Sequence, residues 1–330
     1  MKFFKIGLVT LIGLFFSSIS FSQAPTASGN VMNFSAVSSY EPYADDESTW
    51  SSLRTIATQS STVTTIAEQE FMTDGADTLY PEFLKEVLNT DYIFQIGNYL
   101  IKIDLMNERG LVIAADNSNA YADLVSNNLS ASGMMLLNGD EDFGLELLEA
   151  LSNNTTSPAD YQTFLNVERE CRGAARRKDA RIPEWTTTNE ACDVVSGQTN
   201  IGRTYGMDIE LIYRKAIFYF SLRSRIRSLV RCTFGGTWAS APIYYFVDLN
   251  LIGTVKYRRR CEAEVNANAN IEEGYFGGGN GTLSLNPWGG GRSLSHYDFT
   301  VDFGIRPAVD RNPNPPPYHP SGPFRIVWGY

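Results

Sequence analysis

Three patterns of apolar and polar positions succeed one another along the chain. The first is a plain apolar run with no period. Ile6 to Phe16 is broken only by Gly7, Thr10 and Gly13, follows Lys2 and Lys5, and gives way to Ser17, Ser18, Ser20, Ser22, Gln23 and Ala24. Charge, apolar core and small residues in that order predict a cleavable secretory signal over residues 1–22. A spanning helix needs about 20 predominantly apolar residues, and this run is shorter. Ser22 and Ala24 are both small enough to precede the cut. Cutting after Ala24 would leave Pro25 first, and proline's fixed ring suits a protease site poorly. The expected mature N-terminus is therefore Gln23. No later run approaches spanning length, so no transmembrane span is expected.

The second pattern is mixed. Residues 23–48 are rich in Ser, Ala and acidic groups with little periodicity, and read as a flexible lead-in. An α+β domain is expected over 49–170. Residues 49–70 predict a helix weakened by Ser and Thr. Pro81 opens a short helix through Leu88, with Phe83, Leu84 and Val87 at apolar spacing. Alternation at Tyr92, Phe94 and Ile96, then Tyr99, Ile101, Ile103 and Leu105, then Leu111 to Ala114, predicts a β-meander. Helices at 117–126, 142–151 and 160–170 and a strand at 133–137 complete a small helical domain on a mainly antiparallel sheet.

The third pattern is almost entirely of period two. Leu222, Ser224, Ile226, Ser228, Val230 and Cys232 share one strand face, with Arg223, Arg225, Arg227 and Arg231 opposite. One long strand is expected from Val247 to Val265, another over Tyr297 to Ile305 and a last over Phe324 to Trp328. Residues 171–330 therefore predict an all-β, antiparallel, sandwich-like domain. Two long loops are expected inside it, glycine-rich Gly274–Gly291 and proline-rich Pro307–Pro323.

Charge sharpens the division. The formal net charge of −10 is unevenly spread: residues 23–170 hold 23 acidic and 5 basic side chains, residues 171–265 hold 9 acidic and 16 basic. The four cysteines, Cys171, Cys192, Cys232 and Cys261, all follow that break. An even number in an exported chain predicts two disulfides. Sequence order suggests Cys171–Cys192 and Cys232–Cys261, although three connectivities are open. Zinc is the alternative, but the close cysteine pairs of structural zinc sites are missing.

Two stretches carry a resemblance. Asp91 to Asp104, reading DYIFQIGNYLIKID and followed by the acidic helix Gly139 to Leu151, is one; Leu211 to Leu222, reading LIYRKAIFYFSL, is the other. They resemble a loose group of exported proteins of unknown function from Bacteroidetes-type bacteria. The resemblance implies an envelope or extracellular location and no known activity.

No catalytic residues, metal ligands or cofactor are predicted. His296 and His319 are the only histidines, and neither has a metal spacing or a nucleophile beside it. Carboxylates cluster at Glu68 with Glu70, Glu82 with Glu86, and Asp140 with Glu141 and Asp142. A glycosidase needs two of them facing across a sugar; a secreted polysaccharide hydrolase is the alternative function, and solvated acidic faces explain the pairs as well. Asn138 to Gly144 lacks calcium-loop spacing and reads as a turn feeding a helix N-terminus. Basic residues carry the leading functional reading. Arg223, Arg225, Arg227 and Arg231 on one strand and Lys256, Arg258 and Arg260 on another make one patch if the strands are neighbours. Such a patch fits an acidic glycan, lipopolysaccharide phosphates or an acidic protein surface; export makes nucleic acid a poor partner. The expected function is non-enzymatic binding or structure in the cell envelope or outside it.

Overall fold

The computed structural model describes residues 23–60, 62–73, 79–172, 184–191, 202–231, 239–240, 246–259, 265–276, 282–305 and 319–328. The chain begins with a hairpin of β1 (Thr26–Ser28) and β2 (Val31–Phe34), then α1 (Val37–Asp45), α2 (Trp50–Gln59), α3 (Ile66–Thr73) and α4 (Glu82–Val87). The meander β3 (Ile93–Ile96), β4 (Tyr99–Asp104) and β5 (Arg109–Ala114) follows, then α5 (Ala120–Val125), β6 (Met135–Asn138), α6 (Gly144–Ser152) and α7 (Tyr161–Arg172). The strands form one sheet in the order β1-β2-β3-β4-β5-β6, antiparallel except where β2 runs parallel to β3.

Alternation along these strands feeds two cores. Phe34, Phe94, Ile101, Ile103, Val112 and Leu137 join the main core under α1, α2, α4 and α6. Val31, Ile93, Leu100, Leu111 and Ile113 point the other way, onto Ala120 and Leu124 of α5. Lys102 shares that second face. Its Nζ donates to the Leu124 carbonyl at 3.0 Å and the Val125 carbonyl at 3.3 Å, closing the last turn of α5. Burial lowers its pKa.

Two expectations for this region fail. Residues 23–48 are not a flexible lead-in: Met32, Phe34 and Tyr40 are fully buried in the main core. Strands of three and four residues are too short to display a period. The single helix over 49–70 is two. Thr65 and Glu68 form a capping box, with Thr65 N–H donating to Glu68 Oε2 at 3.0 Å and Glu68 N–H to Thr65 Oγ1 at 3.3 Å. The residues that weaken helix propensity here act as a helix boundary.

Beyond α7 lie two antiparallel sheets. In the first, β7 (Glu184–Ala191), β8 (Gly202–Lys215), β9 (Phe220–Arg231) and β10 (Ala239–Ser240) lie in the order β10-β9-β8-β7. The second contains β11 (Phe246–Arg259) and β12 (Val265–Phe276). β13 (Thr282–Gly290) returns to pair with β9, whereas β14 (Leu294–Ile305) and β15 (His319–Trp328) complete the second sheet, β12-β11-β14-β15. The whole is α+β, with helices and antiparallel-rich sheets.

The long strand expected from Val247 to Val265 is a hairpin, with Tyr257 opposite Val265. Alternation specifies which face a position occupies, not when the chain reverses. The glycine-rich stretch is not simply a loop either, since it contains the end of β12 and all of β13. Pro320 and Pro323 sit in β15, which among the described residues pairs only with β14; an edge strand tolerates residues that cannot donate to a ladder.

Candidate functional site

The most elaborate polar and aromatic arrangement among the described residues is where two turns of the β region enter the helical one. The first turn joins β8 to β9. Ala216 N–H donates to the Tyr219 carbonyl at 2.9 Å, and Phe218 N–H donates to the Ala216 carbonyl at 2.6 Å. This nests a three-residue turn on Ile217 with φ +64. A β-branched residue there is strained, at about 1–3 kcal/mol. Such a conformation persists only where its surroundings over-determine it.

The surroundings are the main core. Ala216, Ile217, Phe218 and Tyr219 are all buried. The Phe218 ring meets Phe94 edge-on at 6.2 Å, and Tyr219 lies 4.9 Å from Phe83. Tyr40 Oη donates to the Phe218 carbonyl at 2.9 Å. Two glycines make the room. A Cβ on Gly110 would lie 2.8 Å from Ile217 Cδ1, and one on Gly144 would lie 2.7 Å from the Ile217 carbonyl oxygen.

The second turn joins β13 to β14. Gly291 N–H donates to Asp45 Oδ1 at 3.1 Å, Ser293 Oγ to the Asp142 carbonyl at 3.1 Å, and Leu294 N–H to Tyr213 Oη at 2.8 Å. Arg292 is the centre. Its Nε contacts Glu41 at 2.5 Å, one terminal nitrogen Glu146 at 3.3 Å and the other Glu149 at 2.7 Å. Burial alone would lower the guanidinium pKa. The hydrogen bond to Glu41 and the charges of Glu146 and Glu41 outweigh it and hold the pKa above its ordinary value. Nearby, Lys215 Nζ lies 3.7 Å from Asp142. Burial, then the neighbouring Tyr219, Asp45 and Glu41, push the Tyr40 phenol well up.

Chemically, this is a socket. Three carboxylates from α1 and α6 converge on one guanidinium and pair with it. The other acidic pairs disperse. Glu82 and Glu70 both contact Lys85, while Glu86 pairs with Arg54 at 2.6 Å. Burial raises the Glu86 pKa despite that arginine. In the stretch Asn138 to Gly144, Glu141 Oε1 accepts from the N–H groups of Asp142 at 3.0 Å and Phe143 at 3.3 Å, and its other oxygen pairs with Arg169. That is the helix-feeding turn the sequence suggests. No group of three His, Cys, Asp or Glu side chains suited to a metal ion occurs among the described residues.

The two strands that carry most of the basic positions are not paired with each other. β9 carries Arg223, Arg225, Arg227 and Arg231, β11 carries Lys256 and Arg258, and the two strands belong to different sheets. The register places Arg225 opposite Glu210, Arg227 opposite Asp208, and Lys256 opposite Asp298. Arg223 is half-buried. Arg260 lies outside the described residues, as do Cys192, Cys232 and Cys261; Cys171 falls in the last turn of α7. His296 is half-buried, with Nδ1 3.1 Å from Ser295 Oγ, and sits opposite Arg258.

Arg292, Tyr40, Gly110 and Gly144 are the residues sequence reasoning missed. Arg292 had a signal, being the single basic residue between Arg260 and Arg306 and following three consecutive glycines. The stretches Asp91–Asp104, Gly139–Leu151 and Leu211–Leu222 all meet here, through Phe94, Gly144 and Phe218. No protein-family model matches the chain, and no curated protein or solved structure is significantly similar to it.

Proposed function

We propose that the protein is exported, that residues 1–22 are removed on the way, and that the mature chain is a non-enzymatic binding or structural protein of the bacterial envelope or exterior. In this reading the β region is a disulfide-bonded sandwich held as an arm by the helical region. One observation carries it: both turns, Ala216–Tyr219 and Gly291–Ser293, are seated in the helical region through buried aromatic and ionic contacts. Tyr213 of β8 stacks on Tyr297 of β14 at 5.0 Å, which supports contact between the two sheets at their base. β8 is 14 residues long in all, about 45 Å at ~3.3 Å per residue, and most of it runs away from that base. This is reach beyond what the socket itself needs.

The arm's basic positions give the partner class: an acidic glycan, lipopolysaccharide phosphates or an acidic protein surface. Arg225, Arg227 and Lys256 are the residues to change, because Arg223 is already half-buried. Retention of chain 23–330 on immobilised acidic polysaccharide and on lipid A vesicles tests the reading. Retention that weakens with salt and disappears in Arg225→Glu/Arg227→Glu/Lys256→Glu, at unchanged thermal midpoint, supports it. Equal retention of the variant rejects the basic positions as the contact. Export is tested separately by sequencing the N-terminus of the protein made with residues 1–22 in a bacterial host. Gln23 as first residue supports it, and an uncut cytoplasmic chain overturns it.

A further inference from the structure

Among the described residues β6 is an edge strand that pairs with β5 alone. Natural edges are usually protected by charge, proline or a bulge. Met135-Leu136-Leu137-Asn138 has no charge and no proline, and its ladder with β5 is regular. Its outward groups are closed from within the chain instead. Met134 N–H donates to the Ala131 carbonyl at 3.1 Å before the strand, and the Asn138 carbonyl accepts from Glu141 N–H at 2.9 Å after it. These are local backbone turns that stay with the strand. The middle closure is different. Tyr161 Oη, on the first residue of α7, accepts from Leu136 N–H at 3.2 Å and donates to the Leu136 carbonyl at 3.3 Å. One hydroxyl from 25 residues away occupies both hydrogen-bonding groups of the strand's most exposed leucine, itself 37% accessible.

α7 has two further holds on the module. Leu165 is buried in the main core, and Arg169 pairs with the Glu141 carboxylate. Glu141 is thus shared: its N–H closes Asn138, its carboxylate accepts from the two N–H groups just before α6, and its charge anchors the far end of α7.

We propose that α7 is a removable cover on β6. With Tyr161 in place the edge is shut. With α7 displaced, the edge pairs with β6 of a second copy of this chain. A second copy fits because Leu136 presents both its N–H and its C=O outward. Two copies related by a two-fold axis can exchange both bonds at that residue, antiparallel. The strand carries no charge, so no like charges meet across the axis.

Tyr161→Phe removes the hydroxyl and keeps the ring, and Tyr161→Phe/Arg169→Ala also releases the far end of the helix. Both are made in chain 23–330. Mass is read by sedimentation over a wide concentration range, and amide exchange at Leu136 and Leu137 is read alongside it. The expected result is exchange at Leu136 about tenfold faster in Tyr161→Phe with Leu137 unchanged. The mass should climb with concentration towards twice that of the wild type, most strongly in the double variant. Adding Leu136→Pro should abolish the rise, because proline has no N–H and this N–H lies outside the β5 ladder. Unchanged exchange at Leu136 in Tyr161→Phe would remove Tyr161 as the guard. Faster exchange without any rise in mass, or a rise that Leu136→Pro does not reverse, would overturn pairing through β6. The single variant decides the matter even if the double variant does not fold.

Discussion

Tyr40 and Phe218 are 178 residues apart in sequence, and the tyrosine hydroxyl donates to the phenylalanine carbonyl at 2.9 Å inside a fully buried core. One partner belongs to an acidic helical region, the other to the turn of a long β-hairpin. The helical region therefore shares its core with residues 216–219, and its boundary near residue 170 is a boundary in sequence only. Aromatic contact joins the same elements: Tyr40 lies 5.5 Å from Phe83, which in turn lies 4.9 Å from Tyr219.

Tyr40→Phe should destabilise the protein by about 1–3 kcal/mol, because a buried carbonyl loses its donor while the packing stays nearly constant. Urea unfolding followed by far-UV circular dichroism checks this. A loss near zero would mean that another donor takes over the Phe218 carbonyl.

Gly110 and Gly144 admit the strained turn differently. A methyl on Gly110 clashes with the flexible end of Ile217 and otherwise makes ordinary contacts, whereas one on Gly144 clashes with the Ile217 carbonyl and the Phe218 ring. Gly110→Ala should cost about 1–3 kcal/mol through overpacking. Ile217→Val removes the offending Cδ1, so it should be mildly destabilising alone and restorative in the Gly110→Ala background. No such rescue is expected for Gly144→Ala. Chemical denaturation of the two double-mutant cycles separates the cases.

The sequence is legible wherever one residue's neighbours in the chain decide its structure. The meander at Tyr92 to Ala114 and the helix opened by Pro81 follow from period and turn chemistry, and the structure places β3, β4, β5 and α4 there. The socket is illegible for the opposite reason. Nothing near Ile217 in the chain announces a positive φ; the conformation is imposed by Gly110, Gly144 and Tyr40. Likewise Arg292 resembles any lone surface arginine until α1 and α6 bring three glutamates around it. The basic stripe was conspicuous locally, yet its two halves fall in different sheets, a matter of strand order that alternation does not encode.

Arg292→Met should destabilise strongly, by about 3 kcal/mol, because it leaves Glu41, Glu146 and Glu149 converged without a cation. Glu146 is the acute case, its side chain being 2% accessible. Arg292→Lys keeps the charge but has no planar fork to reach three carboxylates, and should recover only part of the loss. Thermal unfolding monitored in the near-ultraviolet, where the stacked Tyr213 and Tyr297 rings report on the adjoining sheets, measures both.

Tyr121 gives the protein a distinct alkaline response. Its hydroxyl donates to the Asp91 carboxylate and accepts from Asn89 Nδ2 at 3.0 Å, on the sheet face covered by α5. Burial, and then the bond to Asp91, push its pKa up to about 12 from an ordinary 10.0. The folded state thus holds the phenol proton more tightly than the unfolded state does. The resulting stabilisation is complete below about pH 10 and is lost as the pH rises towards about 12. Tyr40 and Tyr219 are also raised, so alkaline unfolding as such is not diagnostic. Comparison with Tyr121→Phe is. At pH 8 the variant should be the less stable of the two, lacking three hydrogen bonds at this hydroxyl. The difference should shrink steadily between about pH 10 and 12, because only the wild type has this phenol to ionise. Urea midpoints for both proteins across that range, with phenolate absorbance followed in parallel, check the sign. A difference that stays constant with pH would show that Tyr121 titrates alike in the folded and unfolded chains, and that its bond to Asp91 holds no proton in place.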